Sequence, residues 1–339
     1  MATPAGDAGE ARRFRASAPA RLDFAGGWTD VAPFAVRERG VVVNGAIDLF
    51  ASAEVELGGD RLVLQSAELD DTLELPIDDP LEQDGRLDLL KAALRLSPVG
   101  PCALRTRSDA PPGSGLGSSG ALDVALVASL DAVKNVSRSE TALAEAAFHL
   151  ESVEAALPGG KQDQYAAALG GFHRLGFENG AVTVEPLPLD PAFRDELAAR
   201  TVVCYTGTSR LSSRTIARVM DAYARGEAGV VRALHGLVET AGRMAEALSH
   251  GDLAGVARLL TENWGHQQRL DRGMATDTMK RLEEAMRHAG AMGGKAAGAG
   301  AGGSMFFLAS DPIAAASAAR GVGARVLDFT WALEGVRVE

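Results

Sequence analysis

Pro111-Pro112-Gly113-Ser114-Gly115-Leu116-Gly117-Ser118-Ser119 runs directly into a stretch whose apolar residues Leu122, Ala125, Leu126, Leu130 and Val133 share one helical face. A glycine-rich turn feeding a helix N-terminus gathers backbone amides on one point, and the missing Cβ atoms let an anion approach closely. Ser118 or Ser119 can cap the helix, and a hydroxyl left over can ligate Mg2+ or a phosphate. The Lys-Ser/Thr ending of a Walker loop is missing, so a phosphate held here is held by other means. A flexible serine-capped turn is the plain alternative.

Upstream, residues from Phe14 to Ala53 are strand-like, with β-branched clusters such as Val41-Val42-Val43 set between glycines. Arg61–Gln65 and Thr72–Leu75 continue the pattern, which suggests an antiparallel or mixed sheet. Downstream, a helix is expected over about 139–157, carrying Leu143, Ala146, Ala147, Leu150, Val153 and Leu157 and stopped by Pro158-Gly159-Gly160. Gly170-Gly171 and Asn179-Gly180 mark turns around a hairpin of Phe172–Phe177 with Val182–Pro186. Thr201–Tyr205 reads as a strand, 212–290 as mostly helical, Ser304–Leu308 as a strand, 311–320 as a helix and Ala324–Phe329 as a strand. The fold class is α+β, with helices massed in the second half. Pro186, Pro188 and Pro191 mark a junction at Leu187–Arg194, giving domains at 12–190 and 191–339 after a disordered tail at 1–11.

Composition narrows the function. The 339 residues suffice for two domains, with 46% hydrophobic and 23% charged residues and no apolar run near the length of a membrane helix. A soluble, cytoplasmic protein with no membrane partner is expected. The net charge of −11 argues against nucleic acid and requires that any anionic ligand find locally gathered Arg or Lys. Six scattered histidines and two cysteines, Cys102 and Cys204, fall in no zinc spacing; the cysteines read as small buried hydrophobes rather than a bridge.

Four polar stretches interrupt this background. Arg21-Leu22-Asp23-Phe24-Ala25-Gly26-Gly27-Trp28-Thr29-Asp30 brings a strand into a turn whose Asp30 can accept two hydroxyls of a diol or merely cap the turn. In Gly159-Gly160-Lys161-Gln162-Asp163-Gln164-Tyr165, Asp163 can orient or deprotonate an attacking hydroxyl and Lys161 can neutralise phosphate. Glu151 and Glu154 lie one helical turn apart, as Mg2+ ligand candidates or an exposed charged face. Thr206-Gly207-Thr208-Ser209-Arg210-Leu211-Ser212-Ser213-Arg214 suits a substrate phosphate, or a helix N-cap with solvated arginines. A further run, Gly298-Ala299-Gly300-Ala301-Gly302-Gly303, matches GxGxxG but lies between an expected helix, 276–290, and a strand, the wrong order for a dinucleotide fold. It can lean over a bound nucleotide or substrate, or simply be a tight connection.

In this order the stretches Ala18–Asp30, Pro111–Ser119 and Lys295–Gly303 resemble the three motifs of the GHMP kinase superfamily. AGGWTD at 25–30 and GGKQDQYAAALGG at 159–171 are similar to its sugar-1-kinase branch, with traits of both heptose 7-phosphate kinases and L-fucose kinases. The resemblance implies a first domain with a left-handed βαβ crossover, a ferredoxin-like second domain and a site in the cleft between them. It implies ATP on Pro112, Gly113, Ser114, Gly115, Leu116, Gly117, Ser118 and Ser119, Mg2+ on Ser119 and Glu151, and catalysis by Asp163 with Arg21. It assigns Asp30 to sugar hydroxyls; Gly27, Trp28, Thr29, Gln162 and Gly300 are expected beside it, and Lys161, Arg210 and Arg214 at the phosphate of a sugar phosphate. The expected reaction phosphorylates the anomeric hydroxyl of a heptose 7-phosphate, with L-fucose or another hexose, and then a non-catalytic sugar and ATP sensor, as the alternatives. A homodimer is compatible with this reading.

Overall fold

Two long strands open the chain, β1 (Arg13–Ala25) and β2 (Gly40–Leu57), joined through the short helix α1 (Phe34–Arg37). The computed structural model describes residues 12–207 and 213–339. After β2 come β3 (Leu62–Ser66), β4 (Asp71–Leu75), α2 (Asp88–Leu96) and β5 (Cys102–Ser108). Three helices follow, α3 (Ser118–Val133), α4 (Glu140–His149) and α5 (Gln162–Leu169), then the hairpin β6 (Phe172–Glu178) and β7 (Ala181–Pro186). The second half contains α6 (Pro191–Arg200), β8 (Thr201–Tyr205), α7 (Ser213–Ala224), α8 (Ala228–Ser249), α9 (Leu253–Gln268) and α10 (Asp277–His288). It closes with β9 (Ala291–Ala296), β10 (Ser304–Ala309), α11 (Pro312–Gly321), β11 (Arg325–Leu327) and β12 (Arg337–Val338).

These elements form a two-domain α+β fold. The first sheet has the order β12-β1-β2-β5-β3-β4, with the β6–β7 hairpin branching from β2, and only β3 and β5 run parallel. The second sheet, β11-β8-β10-β9, is antiparallel. The last residues return to the first sheet, where Val338 pairs with Ala16 and Trp331 with Ile47, so the chain end does not stay with the second sheet. Among the described residues no helix is long and apolar enough to cross a membrane.

Local signals account for much of this. Asn179 and Gly180 both take positive φ, 52° and 80°, the two-residue turn that matches strand twist in a hairpin. Asp190, Asp252, Thr276 and Asp311 cap α6, α9, α10 and α11, and Pro191 and Pro312 start two of them.

Three expectations need correction. The α3 helix is buried on nearly every side rather than along one stripe, because its run of Ala, Val and Leu has little polar face and lies between the first sheet and α4 and α5. The helix expected to 157 leaves α geometry at Leu150 and continues as one π turn to Glu154. The Gly298–Gly303 run follows a strand, β9, rather than a helix, and connects two antiparallel neighbours.

One feature of β1 positions the site. Its register against β2 shifts by two residues between Pro19, which pairs with Phe50, and Ala20, which pairs with Ile47, so β2 carries two extra residues at this point and the sheet bends and twists more strongly there. Ala16 and Ala18, before this irregularity, pack in the core under α3 to α5, whereas Ala20, Leu22 and Phe24, after it, pack in the core shared with α8, α9 and β10. Arg21 and Asp23 alternate with the latter and are delivered to the face where α5 lies.

Candidate active site

A cleft of about 290 Å³ opens where the end of β1, the 113–119 loop, the 158–163 turn and the 298–303 loop meet. The loops are in backbone contact: a Cβ on Gly298 would sit 2.4 Å from the Gly115 carbonyl oxygen. Similarly, a Cβ on Gly120 would sit 2.5 Å from Cβ of Asp163, so that glycine is what lets α5 approach α3 closely enough to bring Asp163 to the cleft.

Arg21, almost fully buried, holds Asp163. Its Nε donates to Asp163 Oδ1 at 2.9 Å and Nη2 lies 2.7 Å from the same oxygen in an ion pair, while Nη1 donates to the carbonyls of Gly115 at 2.7 Å and Ala297 at 3.1 Å. Asp163 Oδ2 has no hydrogen-bond partner among the described residues, and Asp163 lines the cleft. The guanidinium therefore fixes a carboxylate and both glycine loops at once.

The α3 N-terminus does not carry the expected serine cap. Gly117 occupies the cap position at φ 76°, and no side chain bonds to the first turn. Ser118 and Ser119 instead line the cleft, and Ser119 Oγ donates to Glu151 Oε1 at 3.0 Å. The first-turn amides are thus left toward the cleft, where an anion is favoured.

Glu151 lies in the π turn and is pushed up to about 7 by burial, with the Asp163 charge adding to the rise. Asp30 is also pushed up to about 7, again chiefly by burial, although the Gln162 amide donates to its Oδ2 at 3.1 Å. Asp123, fully buried behind Glu151, is raised well above the usual carboxylate range by burial and by Glu151.

The remaining expected residues divide. Gly27, Trp28, Gln162 and Gly300 line the cleft with Gly113, Gly115 and Gly117. Trp28 does so at φ 81°, its Nε1 donating to Ala299 O at 3.1 Å. Thr29 does not: it is buried, donates to Gly26 O at 2.7 Å and accepts from Val41 N at 3.1 Å, so its hydroxyl holds the turn. Pro112, Ser114 and Leu116 serve through backbone carbonyls, bonded to Tyr205 Oη, Ser304 N and Arg21 N. Lys161 points away, with both oxygens of Glu145 at 2.8 Å and Gly180 O at 3.0 Å, and lines a separate cavity of about 230 Å³. Glu154 faces His149 rather than the cleft. Arg210 and the side chain of Arg214 lie outside the described residues.

Sequence reasoning passed over several residues. Lys295, wholly buried, donates to Asp23 Oδ2 at 2.9 Å and ties β9 to β1; burial lowers its pKa and Asp23 resists that. Asp23 was recoverable from strand alternation, which puts it beside Arg21; Lys295, 272 residues away, was not. Gln164 Nε2 donates to Glu151 Oε2 at 2.7 Å and to Asp123 Oδ2 at 3.2 Å. Gln267 donates to Gly298 O at 2.7 Å and Asn263 accepts from Gly26 N at 3.0 Å.

Among the described residues no group of three or more His, Cys, Asp or Glu side chains is disposed to hold a metal. The donors that do meet, the Ser119 hydroxyl and the Glu151 carboxylate beside a bare helix N-terminus, are hard oxygens. They fit a Mg2+ that draws most of its remaining ligands from phosphate and water.

Models of known families match two segments: the GHMP kinases N terminal domain over residues 87–171 and the GHMP kinases C terminal domain over 244–327. The chain is 31% identical to the D-glycero-alpha-D-manno-heptose 7-phosphate kinase of Campylobacter jejuni, across 96% of this chain and 98% of that one. It is 29% identical to the bifunctional fucokinase/GDP-fucose pyrophosphorylase of Arabidopsis thaliana, across 88% of this chain but 30% of that longer protein. The crystal structure of a D-glycero-D-manno-heptose 1-phosphate kinase from Bacteroides thetaiotaomicron superposes with a TM-score of 0.78 at 27% identity, covering 96% of this chain and 98% of that one.

Proposed function

Because the chain belongs to the GHMP kinases and is an ATP-dependent sugar kinase, we propose that it phosphorylates the anomeric hydroxyl of D-glycero-D-manno-heptose 7-phosphate, giving the 1,7-bisphosphate. One observation supports this above the others: the Arg21–Asp163 pair and the uncapped start of α3 face the same cleft. One binds and orients a hydroxyl and the other receives a phosphate chain. We assign the ATP-binding domain to residues 12–190 and the second domain to 191 onward, with β12 returned to the first sheet.

In this reading the amides from Gly113 to Ser119 hold the phosphates. Ser119 and Glu151 hold Mg2+, which when bound neutralises charge on the transferring phosphoryl group. Asp163 accepts the proton of the attacking hydroxyl on its outer oxygen while Arg21 keeps the inner one fixed. Asp30 and Gln162 receive sugar hydroxyls, and the Trp28 indole closes the floor. Arg210 and Arg214 are assigned to the distal phosphate.

A second reading, an L-fucose or other hexose 1-kinase, is favoured by one observation. Arg21 is the only cation among the described residues lining the cleft, and it is committed to Asp163. Measuring ADP release over phosphorylated heptoses, free heptoses, L-fucose and other hexoses decides between them. Turnover of heptose 7-phosphate at a kcat/KM well above that of every free sugar is expected; a preference for a free hexose overturns the heptose assignment, and ATP binding without turnover overturns both.

A further inference from the structure

Both oxygens of Glu151 already have partners, and the partners differ in kind. Oε1 accepts from the Ser119 hydroxyl, which lines the cleft; Oε2 accepts from Gln164, which is wholly buried. The same Gln164 nitrogen donates to Asp123, also wholly buried. Two carboxylates thus converge on one amide. Only the nitrogen end of an amide donates, so two ionised carboxylates both take that end of Gln164, engaging each of its two hydrogens and leaving its Oε1 buried without a partner among the described residues.

We propose that Gln164, steadied by Asp123, is a positioning residue that keeps Glu151 a one-oxygen cation ligand and so selects Mg2+ over Ca2+. The inference rests on the reading of Ser119 and Glu151 as the cation site. Ser119 Oγ can exchange its bond for a cation, because it is itself an oxygen donor to that cation. Gln164 cannot leave, because it is packed on the buried side between α3 and α5. A cation arriving from the cleft therefore meets Oε1, while Oε2 stays tied. Mg2+ binds carboxylates singly in a tight octahedron with ligands at about 2.0–2.1 Å, whereas Ca2+ takes six to eight oxygens and readily takes both from one carboxylate. The π turn gives the reason for an anchor: Glu151 leaves irregular backbone, and without a second hold its carboxylate can rotate to offer both oxygens to a larger ion.

The test is calorimetric titration of the full chain with Mg2+ and with Ca2+ in the presence of ADP. Gln164→Met should weaken Mg2+ binding by about 10–100-fold and Ca2+ binding far less, lowering the Mg2+/Ca2+ affinity ratio by at least about tenfold. Asp123→Leu should lower the ratio in the same direction but less, and Asp123→Asn, which keeps an acceptor for Gln164, should leave it unchanged. Equal losses for both cations in Gln164→Met and Asp123→Leu would reduce the pair to packing and overturn the proposal. Glu151→Gln separates the layers: unaltered Mg2+ binding there removes the cation site itself, whereas lost Mg2+ binding with an unmoved ratio in Gln164→Met removes only the selectivity. Independently of any variant, a crystal structure with Mg2+ and ADP should show Glu151 bound through one oxygen with Oε2 still on Gln164; bidentate coordination sinks the idea.

Discussion

The two walls of the cleft solve opposite electrostatic problems. On the β1 side, charges are matched within the protein: Arg21 with Asp163, and Lys295 with Asp23. On the other side, the buried Asp30 and Asp123 and the half-buried Glu151 have only amides and a hydroxyl for company. Burial then raises all three carboxyls, because nothing positive offsets the loss of water. As folded, the charges of the first wall are balanced; in the proposed function the second wall is completed by what binds, with a sugar hydroxyl assigned to Asp30 and a cation to Glu151. Perturbed carboxyls gathered in a cleft are where function is expected.

The sharpest way to break this comparison is Asp163→Asn. Removing the charge from the matched wall should lower kcat by about 10²–10⁴ with a far smaller change in the KM for ATP. Steady-state kinetics giving a near-normal kcat would make that wall architecture alone.

Lys295→Met tests whether matching matters for folding. It leaves Asp23 buried without its partner and should cost about 3–5 kcal/mol in urea denaturation, with much of the loss recovered by adding Asp23→Asn. A single variant as stable as the parent would show that Asp23 reaches water or another donor.

The unmatched wall should behave in the reverse sense. A carboxyl at about 7 when folded, against about 4 unfolded, binds more protons in the folded state between those values, so stability falls as pH rises through that window. Asp30→Asn removes the penalty. It should stabilise the protein by up to about 4 kcal/mol at pH 8 and by little at pH 4 to 5, while weakening sugar binding. Equal thermal shifts at both pH values would mean that Asp30 titrates normally.

The smallest effect is expected at Lys161, which belongs to neither wall. Lys161→Ala should lower stability by about 1 kcal/mol through its ion pair with Glu145 and leave the KM for a phosphorylated sugar within about twofold. A large rise in that KM would return Lys161 to the substrate.

Legibility in the sequence followed the range of each interaction. The hairpin at Asn179-Gly180, the strand Thr201–Tyr205 and the helix opened by the 113–117 glycines were readable because turn chemistry and short periodicity act over a few residues. The α3 stripe was misread because a helix buried all round has no polar face to reveal its orientation, and β9, with its two glycines, carries a weak strand signal. Residue chemistry alone did not tell Glu151 from Glu154, and only the family resemblance picked out Glu151, since a π turn rather than an α turn decides which of them faces the cleft.

By itself, the sequence determined which chemical groups were available and which local shapes the backbone would take: a glycine loop before a helix, a strand presenting Arg21 and Asp23 on one face, an acid after a Gly-Gly turn. Tertiary structure alone decided the pairings. It sent Lys161 to Glu145, brought Lys295 under Asp23, and set Gln164 between two carboxylates. The reason is physical: sterics and hydrogen bonding between near neighbours act in any chain carrying those residues, whereas a contact between separate elements, whether 13 or 272 positions apart, exists only after the layers pack and choose which side of each helix looks inward.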